Sequence, residues 1–258
     1  MEFAKPITQN LKKFVKSLQY RKEREESSMF VAEGNKLCEE LLSSSYSAEF
    51  VVVRSGAAGK TESLALKFHN KGIPVYLARR QQFDQITDAK SPQEILAVVN
   101  DMSKNPDYSK PFIALDGVND PGNLGTIIRT ADWFGFHNLI IGGKSVDRFN
   151  PKAVRSTMGS LFRCTITQTD DLAGFIRGHY QDFELYGASL QSDRSISKII
   201  VSGKFGIVLG SEAHGISQEI QSLLTDSFII PGGGGAESLN VAVSWGIIAY
   251  HFSQFTKK

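Results

Sequence analysis

The stretch DGVNDPGNLGTIIRTA, Asp116 to Ala131, decides how this chain is read. It begins at the end of FIALDG, an unbroken apolar run of the kind found in buried strands, passes through turn-forming residues, and continues with helical spacing. On that helix Leu124, Ile127, Ile128 and Ala131 form the buried stripe, and Asn123 stands where an N-cap would. Arg129 and Gly125 lie one turn apart on the remaining face, so Arg129 can look into a cleft. Two later segments, IVLGSEAHG at Ile207 to Gly215 and IIPGGGGAESLN at Ile229 to Asn240, also end strands in glycine-containing backbone. Ligands of open α/β sheets gather beyond the carboxyl ends of strands, and the three loops read as one pocket.

The surrounding pattern sets the architecture. FIALDG, NLIIGG, LFRCTITQ, FELYGAS, FGIVLG and SFIIPG are strongly apolar and separated by helical stretches, which predicts a mostly parallel sheet covered on both faces. Asn150-Pro151 has the residues of an N-cap followed by proline at the first helical position, predicting a helix from Pro151 to near Met158. The first hundred residues alternate on a smaller scale: MFVAEG, FVVVRSG, IPVYLA and ILAVV are strands, with helices through Leu37, Leu41 and Leu42 and around Thr61 to Asn70. The polar run NDMSKNPDYSKP, Asn100 to Pro111, divides the two parts. The expectation is an α/β chain with a smaller domain over residues 1–105 and a larger one over 106–258.

Composition bounds the function less sharply. The chain has 258 residues, 41% of them hydrophobic, and a formal net charge of +2, which permits a nucleic-acid partner without pointing to one. Cys38 and Cys164 lack metal-ligand spacing and read as small buried hydrophobes in a reducing compartment. No apolar run has signal-peptide or membrane-spanning character, so a soluble, cytoplasmic protein is expected. The five histidines show no ligand spacing and give a metal site little support. Dinucleotide and P-loop fingerprints are missing too; SGAAGKT, Ser55 to Thr61, is too short between its glycines.

Individual residues keep two readings each. Arg129 is a guanidinium for a phosphate or carboxylate, or a structural arginine paired with Asp132 or Asp116. Asn123 is a cap, or its amide ties one loop to another. Asp120-Pro121 reads as turn chemistry, Glu212 as a loop-fixing or ligand-facing acid, and His214 as a loop residue. Ser238 offers a cap for a helix through Val243, Ile247 and Tyr250, on which Asn240 and Ser244 are one turn apart. At the start, Leu11, Phe14, Val15 and Leu18 predict an amphipathic helix with Lys12, Lys13 and Lys16 opposite, followed by Tyr20-Arg21-Lys22-Glu23-Arg24. That basic run is an RNA surface or a solvated face diluted by Glu23, Glu25 and Glu26.

Taken in order, DGVNDPGNLGTIIRTADWFG, IVLGSEAHGIS and IIPGGGGAESLNVAVSWG resemble the three motifs of the SpoU-type, or TrmH-type, RNA ribose 2'-O-methyltransferases of the SPOUT superfamily. YRKEREESSMFVAEGNKLCEELL and SPQEILAVV resemble the ribosomal-protein L30e-like substrate-binding domain often fused to them. The resemblance implies a C-terminal deep trefoil knot, S-adenosylmethionine as cofactor, and a homodimer with the site near the subunit interface. It assigns Leu209, Gly210, Ser211, Ile230, Gly232, Ser238 and Leu239 to the cofactor and Arg129, Asn123, Glu212 and Asn240 to the catalytic machinery. RNA would be held by Lys12, Lys13, Lys16, Arg21, Lys22 and Arg24, with Arg155 and Arg163 in the second domain. Family members commonly carry methionine where this chain has Gly232, a change that loosens the loop. The implied activity is 2'-O-methylation of a ribose in structured RNA, with 23S ribosomal RNA favoured. A transfer RNA enzyme and a knotted RNA-binding protein without methyl transfer are the alternatives.

Overall fold

A computed structural model describes residues 1–102 and 104–256. They form two compact units, one made of Met1–Met102 together with Phe149–Phe162, the other of the remaining described residues.

In the first unit the strands are β1 (Lys5–Pro6), β2 (Met29–Glu33), β3 (Ala48–Arg54), β4 (Val75–Ala78) and β5 (Ile95–Asn100). The helices are α1 (Gln9–Ser17), α2 (Arg21–Ser27), α3 (Asn35–Leu42), α4 (Lys60–Asn70) and α5 (Arg80–Asp84). The sheet runs β1-β4-β3-β5-β2, with β5 antiparallel to both β2 and β3 and the other pairs parallel. Thr8 opens α1 by accepting the amide of Leu11 at 3.3 Å. The helix then lays Val15 and Leu18 onto Phe50, Val52, Leu96 and Val98, a core with almost no exposure.

The second unit is a six-stranded sheet of β6 (Phe112–Asp116), β7 (Asn138–Gly142), β8 (Thr165–Thr169), β9 (Glu184–Ala188), β10 (Phe205–Gly210) and β11 (Asp226–Phe228). Its order is β11-β9-β10-β6-β7-β8 and every pairing is parallel. Phe112, Ile113, Ala114 and Leu115 of β6 are all fully buried, as a strand covered on both faces requires. The covering helices include α6 (Pro121–Phe134), α8 (Leu172–His179), the short α9 (Gln218–Gln221) and α10 (Val241–Ser253). Two strands are shorter than their apolar runs. LFRCTITQ becomes extended only at Thr165, because Ser160–Phe162 forms a 3-10 turn, and SFIIPG stops at Phe228, beyond which Ile229 makes only an isolated bridge to Ser195.

Between β7 and β8 the chain contributes α7 (Pro151–Ser156) to the first unit. Asn150 caps it by accepting the amides of Lys152 and Ala153, with Pro151 following, so the cap pattern in the sequence is realised. Phe149 stacks on the fully buried Phe30 at 4.2 Å between ring centroids and 6° between planes. Arg155 pairs with Asp88 and lies 3.7 Å from the buried carboxylate of Glu33. That carboxylate also accepts the hydroxyl of Thr87 at 2.6 Å and the amide of Gln93 at 3.1 Å.

Removing the Phe149 ring leaves a cavity over Phe30. Phe149→Ala is expected to cost about 3 kcal/mol or more of stability, read by urea unfolding monitored by circular dichroism.

Candidate functional site

The strand order reverses between β6 and β10: the chain runs outward from β6 to β7 and β8 on one side, while β10, β9 and β11 lie on the other. Such a reversal opens a crevice at the carboxyl ends. Here Asp116 and Gly210, the last residues of the two strands, are in register. After β6, Gly117 adopts a φ of +83°, and its amide and that of Val118 donate to Ser145 Oγ, each at 3.1 Å. The Ser145 hydroxyl in turn donates to Leu115 O at 3.2 Å and is buried, so this serine, which sequence reading missed, fixes the first loop.

Asp120, not Asn123, caps α6: its carboxylate accepts the Asn123 amide at 2.9 Å, and Pro121 occupies the first turn. The Asp-Pro pair is therefore a helix start. Gly125 is buried on α6 and so does not share the free face expected for it with Arg129, which is exposed. After β10 the chain folds back at once, with Ser211 and Gly215 exchanging backbone hydrogen bonds of 3.0 and 2.9 Å. A Cβ on Gly210 would stand 2.1 Å from the Gly215 carbonyl carbon, so only glycine fits. Asp116 accepts the Ser217 amide at 2.7 Å and joins the first loop to the second.

Side chains complete the joining of all three loops. Asn123 Nδ2 donates to Glu212 Oε1 at 2.5 Å, and Asn240 Nδ2 donates to Asn123 Oδ1 at 3.1 Å. Asn240 Oδ1 also accepts the amides of Ala242 and Val243, which makes Asn240, rather than Ser238, the cap of α10. The α10 residues Trp245, Ile248, Ala249 and Phe252 are fully buried, and Trp245 Nε1 donates to Ile127 O on α6 at 3.2 Å. Val243, Ile247 and Tyr250, at helical spacing, are instead 53%, 39% and 66% exposed.

Beside this bridge lies a cavity of about 790 Å³ whose lining includes Leu209, Gly210, Ser211, Ile230, Ser238 and Leu239. Glu212 and Ser244 reach it as well, but Gly232, Asn123, Asn240 and Arg129 are not among its lining residues. Gly232 to Gly235 are exposed, and no atom lies within 4 Å of a Cβ placed on any of them. Ala188 to Gln191, at the carboxyl end of β9, also line the cavity. The end of FELYGAS was a signal for this under the strand-end rule, although nothing in its residue types marks it.

The charged residues divide sharply. Arg129 makes no hydrogen bond or ion pair among the described residues, and Asp132 is taken by Arg163 at 2.7 Å and lies 3.5 Å from His137. Arg21 pairs with Glu25 and Lys22 with Glu26. Arg24 turns inward, 5% exposed, and donates to Leu18 O at 2.8 Å, which removes it from an RNA-facing surface. Arg155 is committed to Asp88 and Glu33, and Arg163 to Asp132. Lys12, Lys13 and Lys16 have no such partner among the described residues. Burial pushes both cysteine thiols up. His214 is exposed and its backbone amide donates to Ser211 Oγ at 3.1 Å. Among the described residues no three His, Cys, Asp or Glu side chains come together as a metal site would need, and no helix is long and apolar enough to cross a membrane.

Comparison with known proteins adds a second line. The model of the SpoU rRNA Methylase family matches residues 110–250, and that of an MRM3-like substrate binding domain matches residues 10–97. The chain is 31% identical over 236 residues to the 23S rRNA (guanosine(2553)-2'-O)-methyltransferase RlmP of Bacillus subtilis, covering 92% of this chain and 93% of that one. It superposes on the AdoMet-bound rRNA methyltransferase of Sinorhizobium meliloti with a TM-score of 0.85 and 28% identity, covering 99% and 98% of the two chains. A TrmH-family structure from Porphyromonas gingivalis gives a TM-score of 0.82 at 31% identity, with 96% and 99% covered.

The bridge predicts a specific sensitivity. Asn123→Ala removes both inter-loop side-chain bonds and should cost about 1–2 kcal/mol in chemical denaturation. Asn123→Asp sets a carboxylate against Glu212, which raises the pKa of that pair in the folded variant. Its deficit relative to wild type should be full at pH 7 and shrink as the pH falls through the raised pKa, as measured by denaturation at stepped pH.

Proposed function

The chain belongs to the SpoU rRNA methylase family, and from that premise we propose that it methylates the 2'-oxygen of a ribose in 23S ribosomal RNA, using S-adenosylmethionine. The observation that carries the reading is the bridge Asn240–Asn123–Glu212, which ties three loops from distant parts of the chain beside a cavity large enough for a cofactor of this size. On this reading residues 1–105 are an L30e-like RNA-binding domain and residues 106–258 the methyltransferase domain, with the segment before α10 passing through a loop to form a trefoil knot. The expected location is the cytoplasm.

The cavity suits the cofactor through main chain and small side chains: Gly210 and Ser211 let a ligand approach the turn closely, while Leu209, Ile230 and Leu239 offer apolar cover. Ser238 adds a hydroxyl there, and Gly232 contributes at most main chain. S-adenosylmethionine, when bound, supplies a methyl group activated by the adjoining sulfonium. What remains for the protein is to align the ribose oxygen and ease the loss of its proton. Asn123, Glu212 and Asn240 spend their polar atoms on one another and position the loops. Arg129, unpaired and exposed, is the group available to RNA. A guanidinium stays charged up to about pH 12 and makes a poor base, so Arg129 holds the neighbouring phosphate and stabilises developing negative charge on the oxygen.

A homodimer is part of the same reading, and exposed apolar side chains on α6 and α10 support it. Arg129 precedes Trp133 by one turn of α6, and Trp133 is 83% exposed. Tyr250 of α10 packs edge-on against Phe134 of α6, continuing an apolar surface through Ile247 and Val243. Covering that surface with a second copy of the chain would bring Arg129 to the interface.

Labelled methyl transfer from S-adenosylmethionine to total RNA lacking the modification, with mass-spectrometric mapping, tests the activity. Wild type should place label on a ribose 2'-oxygen; Arg129→Ala should lose about a hundredfold or more in rate. Full turnover by Arg129→Lys with unchanged RNA affinity would sink the guanidinium role. Sedimentation should show a dimer at micromolar concentration that Val243→Asp with Ile247→Asp converts to a monomer of low activity; a fully active monomer would exclude a shared site.

A further inference from the structure

We infer that Tyr20 is a stacking platform for an unpaired RNA base, with Lys13 and Lys16 holding the phosphates beside it. The inference rests on the function proposed above and gives Tyr20, which opens the basic run, a role that the run's charges do not supply. Tyr20 is 66% exposed, and its ring makes no hydrogen bond or aromatic contact among the described residues. Backbone bonds from Leu18 to Phe14, Gln19 to Lys16 and Tyr20 to Ser17 continue the coil beyond α1. Lys13 and Lys16 share one face of α1, and the tightened turn carries the chain directly from Lys16 to Tyr20, the extended residue that precedes α2. The opposite side of α1 is committed to the core through Val15 and Leu18.

The neighbouring cations strengthen the argument by being used up. In the run Arg21-Lys22-Glu23-Arg24, Arg21 and Lys22 are paired to Glu25 and Glu26, and Arg24 is turned into the protein. The positive charge left to an incoming ligand in this stretch thus lies on α1, the helix that leads to Tyr20. An apolar protein partner would call for more exposed apolar side chains around Tyr20, whereas the half-buried Leu11 and Phe14 pack against the core. A π-face next to unpaired lysines fits the stacked bases and phosphates of a single-stranded RNA loop. Duplex RNA presents no free base face to it.

Binding and methylation of 23S ribosomal RNA lacking the modification should be measured for wild type, Tyr20→Ala, Tyr20→Phe, Tyr20→Trp and Lys13→Gln with Lys16→Gln. Tyr20→Ala should raise the RNA KM and Kd by about tenfold, leaving kcat and the slope of log affinity against log salt near wild type. Phenylalanine and tryptophan should restore binding, and their recovery separates stacking from loss of fold. The double lysine variant should instead lower the salt slope by about 0.7 for each phosphate it no longer neutralises. Wild-type affinity in Tyr20→Ala, or equal loss in all three Tyr20 variants, overturns the inference while the methyltransferase reading stands. Wild type that neither binds nor methylates the RNA overturns both.

Discussion

The adjacency of β6 and β10 in a wholly parallel sheet is the constraint from which the candidate site follows. It brings Asp116 level with Gly210 and sends two loops out of the same edge. The second loop must reverse immediately, which places the Gly215 and Ile216 backbone where a Gly210 side chain would be. Because the reversal is that tight, the Ser211–Gly215 turn is closed by its own backbone, and Glu212 is presented at a defined place. Ser217 then donates to Asp116, so the strand end that starts the first loop also anchors the second. A side chain at Gly210 would displace the turn, and with it the acceptor of the Asn123 amide.

Polar groups at the site differ in whether the protein itself already satisfies them. Asn123 uses both ends of its amide, and Asn240 both caps a helix and bonds to Asn123. Such groups lose their bonds if they move, which suits holding loops in place. Arg129 has the opposite character. The acid nearest to it in sequence, Asp132, is engaged by Arg163, so a phosphate arriving at Arg129 displaces no internal partner. A structural arginine paired with Asp132 or Asp116 is not what the fold contains.

The large features were legible because they depend on repeated signals. Six apolar runs gave six parallel strands, and Asn150-Pro151 gave a capped helix. Misplaced features turned on competition between neighbours that local rules rank equally. Asp120 and Asn123 are both good caps, and proline at 121 decides for the former. Ser238 and Asn240 compete in the same way, and the winner also bonds to Asn123. The helix read through Val243, Ile247 and Tyr250 is present as α10, and because both of its sides carry apolar residues, spacing alone could not tell that Trp245 and Ile248 are the buried ones. The packing of Phe149 to Phe162 with the first unit had no local signal, since it depends on Phe30 and Glu33, more than a hundred residues away. Ser145 was invisible because its partners, Leu115, Gly117 and Val118, belong to the preceding strand and its loop.

Net charge was equally uninformative, and the ion pairs explain why. Lys and Arg number 29 against 27 Asp and Glu, a balance that predicts little attraction for RNA. A paired cation contributes little field beyond its partner, so what an RNA phosphate meets is set by the cations left over. Arg21, Lys22, Arg155 and Arg163 are internally compensated, and Arg24 is spent on a carbonyl. Lys12, Lys13 and Lys16 in one unit and Arg129 in the other are not. The basic residues read from sequence thus separate into two sets: those of α1 keep their charge free, while i to i+4 pairing within α2 compensates Arg21 and Lys22.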